Sequence, residues 1–84
     1  MVPLADLHMG SQALIHSFEG GHNFIARLAA LGFTPGAPVK VMRNHGIGPM
    51  IVAIRGTRIA LGRGEARRIW VYTADESDSQ GEDL

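Results

Sequence analysis

Glycine and proline interrupt this chain every few residues, eleven glycines and four prolines in 84 residues, and the apolar stretches left between them are short. Short apolar runs bounded by turn-formers suit several brief β-strands and suit a helical bundle poorly. Five such runs read as strands: 13–18, 39–43, 50–54, 57–61 and 69–73. Alternation along the second puts Val39 and Val41 on one face and Lys40 on the other. In the last, Ile69, Val71 and Thr73 share one face, with Trp70 and Tyr72 opposite. Arg55-Gly56 reads as a tight turn between the third and fourth strands, and the polar, glycine-rich stretch 62–68 as a turn or a single 3₁₀ turn.

One segment breaks the strand pattern. Between Asn23 and Leu31, Phe24, Leu28 and Leu31 recur at i, i+4 and i+7, which is one face of a helix. Asn23 is a plausible N-cap, Gly32 stands where a left-handed terminating residue belongs, and Pro35-Gly36 forbids continuation. A helix this short is marginal alone and needs its Phe24/Leu28/Leu31 face packed on a sheet. Short strands protect their edges by curling, so the expected fold is mainly β. It is a small five-stranded barrel closed around Ile15, Val41, Val52, Leu61 and Val71, with one short α-helix inserted between strands one and two.

A chain of 84 residues is one domain, and cysteine is absent. That removes disulfides, thiolate metal sites and cysteine nucleophiles, and favours an intracellular setting. The formal net charge of zero hides an asymmetry: residues 1–74 carry +5, and residues 75–84 carry −5. We therefore expect a folded domain over 1–74 and a disordered acidic tail over 75–84, too poor in apolar residues to offset its ordering entropy. No apolar run reaches the ~18–20 residues of a membrane-spanning helix, and no charged-then-apolar leader opens the chain. A soluble protein that keeps its N-terminus is the expectation.

The residues offer little for catalysis. Lys40 is the only lysine, neither Gly46-Ile47-Gly48 nor Gly62-Arg63-Gly64 has phosphate-loop spacing, and closely spaced carboxylates occur only in the tail. No enzyme and no cofactor are expected. The four histidines, His8, His16, His22 and His45, are not paired at helix or strand spacing and read as solvated side chains, the alternative being an adventitious or inter-subunit site using His8, His16 or His22 with tail carboxylates; which residues would hold a metal stays unknown at this point. Arg55, Arg58, Arg63, Arg67 and Arg68 fall within fourteen residues, close before Trp70 and Tyr72. Such a group is a solvated basic face, a dock for an acidic protein surface or, least favoured, a nucleic-acid contact. Strands three and five also carry apolar residues on both faces: Ile51 and Ala53 oppose Met50, Val52 and Ile54, and Trp70 and Tyr72 oppose Ile69 and Val71. A small barrel has one interior, so the outer set is covered by the helix and an N-terminal arm, or it is a contact surface.

Several of these residues together resemble a known family. Arg27-Leu28-Ala29-Ala30-Leu31-Gly32-Phe33-Thr34-Pro35-Gly36 is the most specific piece, joined by Val39…Val41, Gly48-Pro49, Gly56…Ile59-Ala60-Leu61 and Ala66…Ile69…Val71. Over residues 4–73 this pattern resembles FeoA, the small cytosolic proteins associated with the ferrous-iron transporter FeoB. Gly62 stands where that family usually has a basic residue, and the acidic tail is an addition. The resemblance implies a Src-homology-3-like (SH3-like) barrel in the cytoplasm and no catalytic machinery. It also implies an accessory role in ferrous-iron uptake, with the cytoplasmic part of FeoB as partner and weak transition-metal binding as an accompaniment. Set on that fold, Trp70, Tyr72, Arg55, Arg58 and Arg63 are the expected partner-binding residues. A weak homodimer is another arrangement such a face would allow. The competing reading is a regulatory module similar to the one that ends iron-dependent repressors, against which the stand-alone length argues. A small nucleic-acid-binding barrel is the third.

Overall fold

The computed structural model describes residues 1–73, so the tail expected over 75–84 lies outside the described residues. Six antiparallel strands form one sheet: β1 (Val2–Pro3), β2 (Gln12–Phe18), β3 (Pro38–Arg43), β4 (Met50–Ile54), β5 (Thr57–Leu61) and β6 (Ile69–Thr73), in the order β1-β6-β2-β3-β4-β5. Helix α1 (His22–Ala30) lies between β2 and β3, a 3₁₀ turn (Leu4–Asp6) follows β1, and a four-residue helix α2 (Arg63–Ala66) precedes β6. The SH3-like class with one helix inserted after the first long strand is therefore what the chain adopts. Two details differ from the expectation. A sixth strand exists at the N-terminus, and the ladder is not closed, because β1 and β5 do not pair.

The core explains why the sheet nevertheless curls. Ala13 and Ile15 of β2, Val39 and Val41 of β3, Met50, Val52 and Ile54 of β4, Leu61 of β5, and Ile69 and Val71 of β6 are all buried in one cluster. A flat sheet cannot bring β6 and β5 into one cluster, so the inward face must wrap on itself. Two bulges help. One falls between Ile15 and Ser17 on β2, which puts both Ile15 and Phe18 on the core side although they are three residues apart. The other falls between Val41 and Arg43 on β3.

The N-terminal arm, expected to lie over the outer face, instead fills the interior: Leu4 is fully buried, with Ala5 and Leu7 beside it. Val2-Pro3, which carries no strand pattern of its own, pairs opposite Val71 and Trp70 on the sheet edge. Within the stretch 62–68, expected to be a turn or a single 3₁₀ turn, residues 63–66 form one turn of α-helix. The Glu65 carboxylate accepts from the Gly62 amide at 2.9 Å, and Ala66 is fully buried against the core.

Helix α1 starts two residues earlier than expected, with Gly21 rather than Asn23 at the N-cap, and no side chain among the described residues caps it. Leu28 is buried and Phe24 packs partly on the core, but Leu31 is 43% exposed. The reason is the turn that follows. Leu31, the C-cap, is still right-handed, Gly32 takes φ +101°, and after this turn it is Phe33 rather than Leu31 that is fully buried in the core. A Cβ on Gly32 would also stand 3.1 Å from Cδ of Arg55. Gly32→Ala therefore meets both a left-handed backbone and a close neighbour, and a loss of about 1–2 kcal/mol is expected in urea denaturation. Removing the neighbour as well, in Gly32→Ala/Arg55→Ala, should give a loss smaller than the sum of the two single changes.

Candidate functional site

The five expected partner-binding residues divide into two kinds. Arg55 opens the β4–β5 turn with φ +50°, and Gly56 follows at φ +79°, a pair of positive values that makes a type I′ hairpin. The left-handed backbone aims the Arg55 side chain at the end of α1. There Nε donates to the Gly32 carbonyl at 3.1 Å and a terminal nitrogen donates to Thr34 Oγ1 at 2.8 Å. A guanidinium at a helix C-terminus also meets the negative end of the helix dipole. Arg63, at the start of α2, donates from Nε to the Gly48 carbonyl at 3.2 Å, from one terminal nitrogen to the Ala5 carbonyl at 3.4 Å, and from the other to Asn44 Oδ1. Asn44 in turn donates to the Ala5 and Leu7 carbonyls at 3.1 and 2.7 Å and accepts from the Gly46 amide. Both arginines hold separate segments together.

Arg58 is different. It lies on β5 opposite Ala53, on the outer face, exposed, and among the described residues it has no hydrogen bond or ion pair. The structure does not bring it to the aromatic pair, since β2, β3 and β4 stand between β5 and β6. Of the remaining basic group, Arg68 stacks 5.5 Å from the Phe24 ring centroid, with Arg27 at 5.8 Å, and Arg27 also forms an ion pair with Glu65.

Trp70 and Tyr72 do sit on the outer face of β6. Trp70 is half-buried, its Nε1 donating to Glu19 Oε1 at 2.6 Å. Tyr72 is 43% exposed, edge-on to the His16 ring at 4.9 Å. Opposite Tyr72 on β2 stands Leu14, 46% exposed, and opposite Leu14 on β3 stands Pro38. The outcome is a continuous apolar row, Tyr72–Leu14–Pro38, across three adjacent strands. It runs into a shallow depression lined by Gln12, Pro38, Lys40 and Ala53. Leu14 was not singled out from the sequence. Its neighbours Ala13 and Ile15 belong to the core, and only the β2–β6 register shows that it extends the aromatic surface.

The histidines remain apart in the fold: His8 follows the 3₁₀ turn, His16 lies at the β2 bulge, His22 begins α1, and His45 sits in the β3–β4 loop. Among the described residues no group of three or more histidines and carboxylates could hold a metal ion. No helix of the described residues is long and apolar enough to cross a membrane.

Comparison with known proteins gives a consistent picture. The FeoA domain model matches residues 2–73. A protein from Methanocaldococcus jannaschii, named for Fe(2+) transport as transport protein A, is 36% identical over 75 residues, 89% of this chain and 90% of its own length. A crystal structure of an iron uptake regulatory protein (FeoA) superposes with TM-score 0.81 at 38% identity, covering 86% of this chain and 96% of that one. The Stenotrophomonas maltophilia FeoA in complex with zinc, described as a prokaryotic SH3 domain protein, superposes with TM-score 0.75 at 30% identity, over 84% and 89% of the two chains. A manganese-dependent transcriptional repressor shares the fold alone, with TM-score 0.78 at 20% identity over 40% of the repressor.

The two kinds of arginine are separable by experiment. Arg63→Met should cost about 1–2 kcal/mol in chemical denaturation, because the Gly48 carbonyl loses its donor while Ala5 and Asn44 keep second partners. Arg58→Met should stay within about 0.5 kcal/mol of the parent, as expected for an exposed side chain without partners.

Proposed function

The chain belongs to the FeoA family, and from that membership we propose that it is a non-catalytic cytoplasmic accessory of ferrous-iron transport that docks on the cytoplasmic part of a FeoB-type transporter. The observation that carries the reading is the outer row of Tyr72 and Leu14, two large apolar side chains paired across β6 and β2 and each more than two-fifths exposed. Burying such side chains in water-free contact gains roughly 1.5–3 kcal/mol each, and no described element lies over them. Trp70 lends the row a rigid edge, since its ring is anchored by Glu19. Arg58 adds positive charge farther along the same face, whereas Arg55 and Arg63 act through the fold they tie together.

Positive charge supports the choice of partner. Residues 1–74 carry +5 against −5 in residues 75–84, so the attraction to an acidic protein surface is that of the basic face and not of the net charge. Ferrous ion enters this reading as the cargo of the transporter. The three-ligand cluster that would hold it on this chain is absent among the described residues.

The test is the affinity of the chain for the isolated cytoplasmic part of the transporter from the same source. Tyr72→Ser/Leu14→Ser should weaken binding by about tenfold or more, the magnitude of a lost anchor pair, while the thermal midpoint stays within a few degrees of the parent. An unchanged dissociation constant in that folded variant would rule out this face.

A further inference from the structure

At the end of the sheet away from the aromatic row, β5 is an edge strand, and its backbone is set in a defined phase. The type I′ turn at Arg55-Gly56 makes Ile54 and Thr57 the closing, hydrogen-bonded pair of the hairpin. Antiparallel ladders alternate, so Arg58 (opposite Ala53) and Ala60 (opposite Ile51) direct their amides and carbonyls away from β4. Among the described residues, nothing pairs with this outer edge. The neighbouring ties pass at its two ends only. Arg55 reaches the segment after α1 beyond one end, and Glu65 of α2 meets Arg27 of α1 beyond the other.

The chemistry around the edge selects what can add to it. Arg58 is central and exposed, and among the described residues it meets no counter-charge; Arg55 and Arg63 flank the strand with bonds to carbonyls, a hydroxyl and an amide oxygen but, among the described residues, to no carboxylate. A second copy approaching edge to edge in antiparallel fashion would set Arg58 against Arg58. An acidic segment meets the opposite situation. Ile59, on the inward face between Arg58 and Ala60, is only partly buried, so an added strand would also complete its cover.

We propose that the free edge of β5 is a strand-addition site for an extended acidic segment of a partner protein, which pairs with the backbone of Arg58 and Ala60 and sets its carboxylates against Arg58. Main-chain bonds supply the affinity, and the arginine supplies the selectivity. The site is distinct from the Tyr72–Leu14 row, and each test reads different residues, so the failure of one leaves the other standing.

The probe is a nine-residue peptide alternating glutamate with valine and threonine, titrated into the isotopically labelled full chain and followed by amide NMR shifts and hydrogen exchange. In the free chain the Arg58 and Ala60 amides should exchange fast and the Ile59 amide slowly. The peptide should shift Arg58 and Ala60 and slow their exchange, while the same peptide with lysine for glutamate does not bind. Ala60→Pro removes an outward amide that β4 does not use, so the chain should fold as the parent does and bind the acidic peptide about tenfold more weakly or not at all. Arg58→Glu should reverse the preference between the acidic and basic peptides, which keeps the test decisive even if the proline variant is unstable. The proposal is overturned by acidic-peptide shifts centred on Tyr72 and Leu14, by absence of binding, by Arg58→Glu retaining the acidic preference, or by Arg58 and Ala60 amides already protected in the free chain.

Discussion

A six-stranded sheet that buries one face against itself, yet leaves its end strands unpaired, must close the gap with something other than a ladder. In this chain the joins are made largely by arginine. Arg55 ties the β4–β5 turn to the end of α1, Arg63 ties α2 to both the N-terminal arm and the β3–β4 loop, and Arg27 ties α1 to α2. Long side chains with several donors in a planar fork suit this work, because one residue can serve carbonyls from two or three segments at once. The apolar cluster beneath supplies the driving force, and the arginines determine how the connecting pieces sit on it.

That division of labour governs what remains available for function. Once Arg55 and Arg63 are committed to internal carbonyls, the outer surface is left with an apolar row at one end of the sheet and a lone arginine at the other. Binding is accordingly assigned to the outer face and to the edge of the sheet. The FeoA family, to which this chain belongs, is an accessory of ferrous-iron transport, and surfaces of this sort are what an accessory domain has to offer a larger partner.

Where the sequence was legible, it was so because local physics and tertiary packing agreed. Strands β4 and β5 are bounded by glycine or proline, β6 is a β-branched and aromatic run, and the ends of all three fall where the sequence puts them. Gly32 was readable as a left-handed terminator because helix, glycine, proline and glycine occur in order. Leu31 misled because periodicity cannot see that the chain turns at Gly32 and buries Phe33 instead. The N-terminal arm escaped for a similar reason. Two residues of strand and a 3₁₀ turn have no periodic signal, and Leu4 is held by contacts with residues far along the chain. The arginines were grouped by their closeness in sequence, but a strand sends alternate side chains to opposite faces, and three strands separate Arg58 from Tyr72.

The sequence by itself determined the class of the fold, the inward set of Ile15, Val41, Val52, Leu61 and Val71, and the chemistry left out by the lack of cysteine and of paired carboxylates among residues 1–73. Those follow from composition and from periods of two and 3.6 residues, which are properties of neighbours in the chain. Only the tertiary structure decided that the ladder stays open, that Leu14 joins Tyr72, and that two arginines serve the fold while a third faces water. Each of these depends on strand register and on contacts between residues far apart in the chain, and hydrogen bonds across such separations leave no mark on the local pattern.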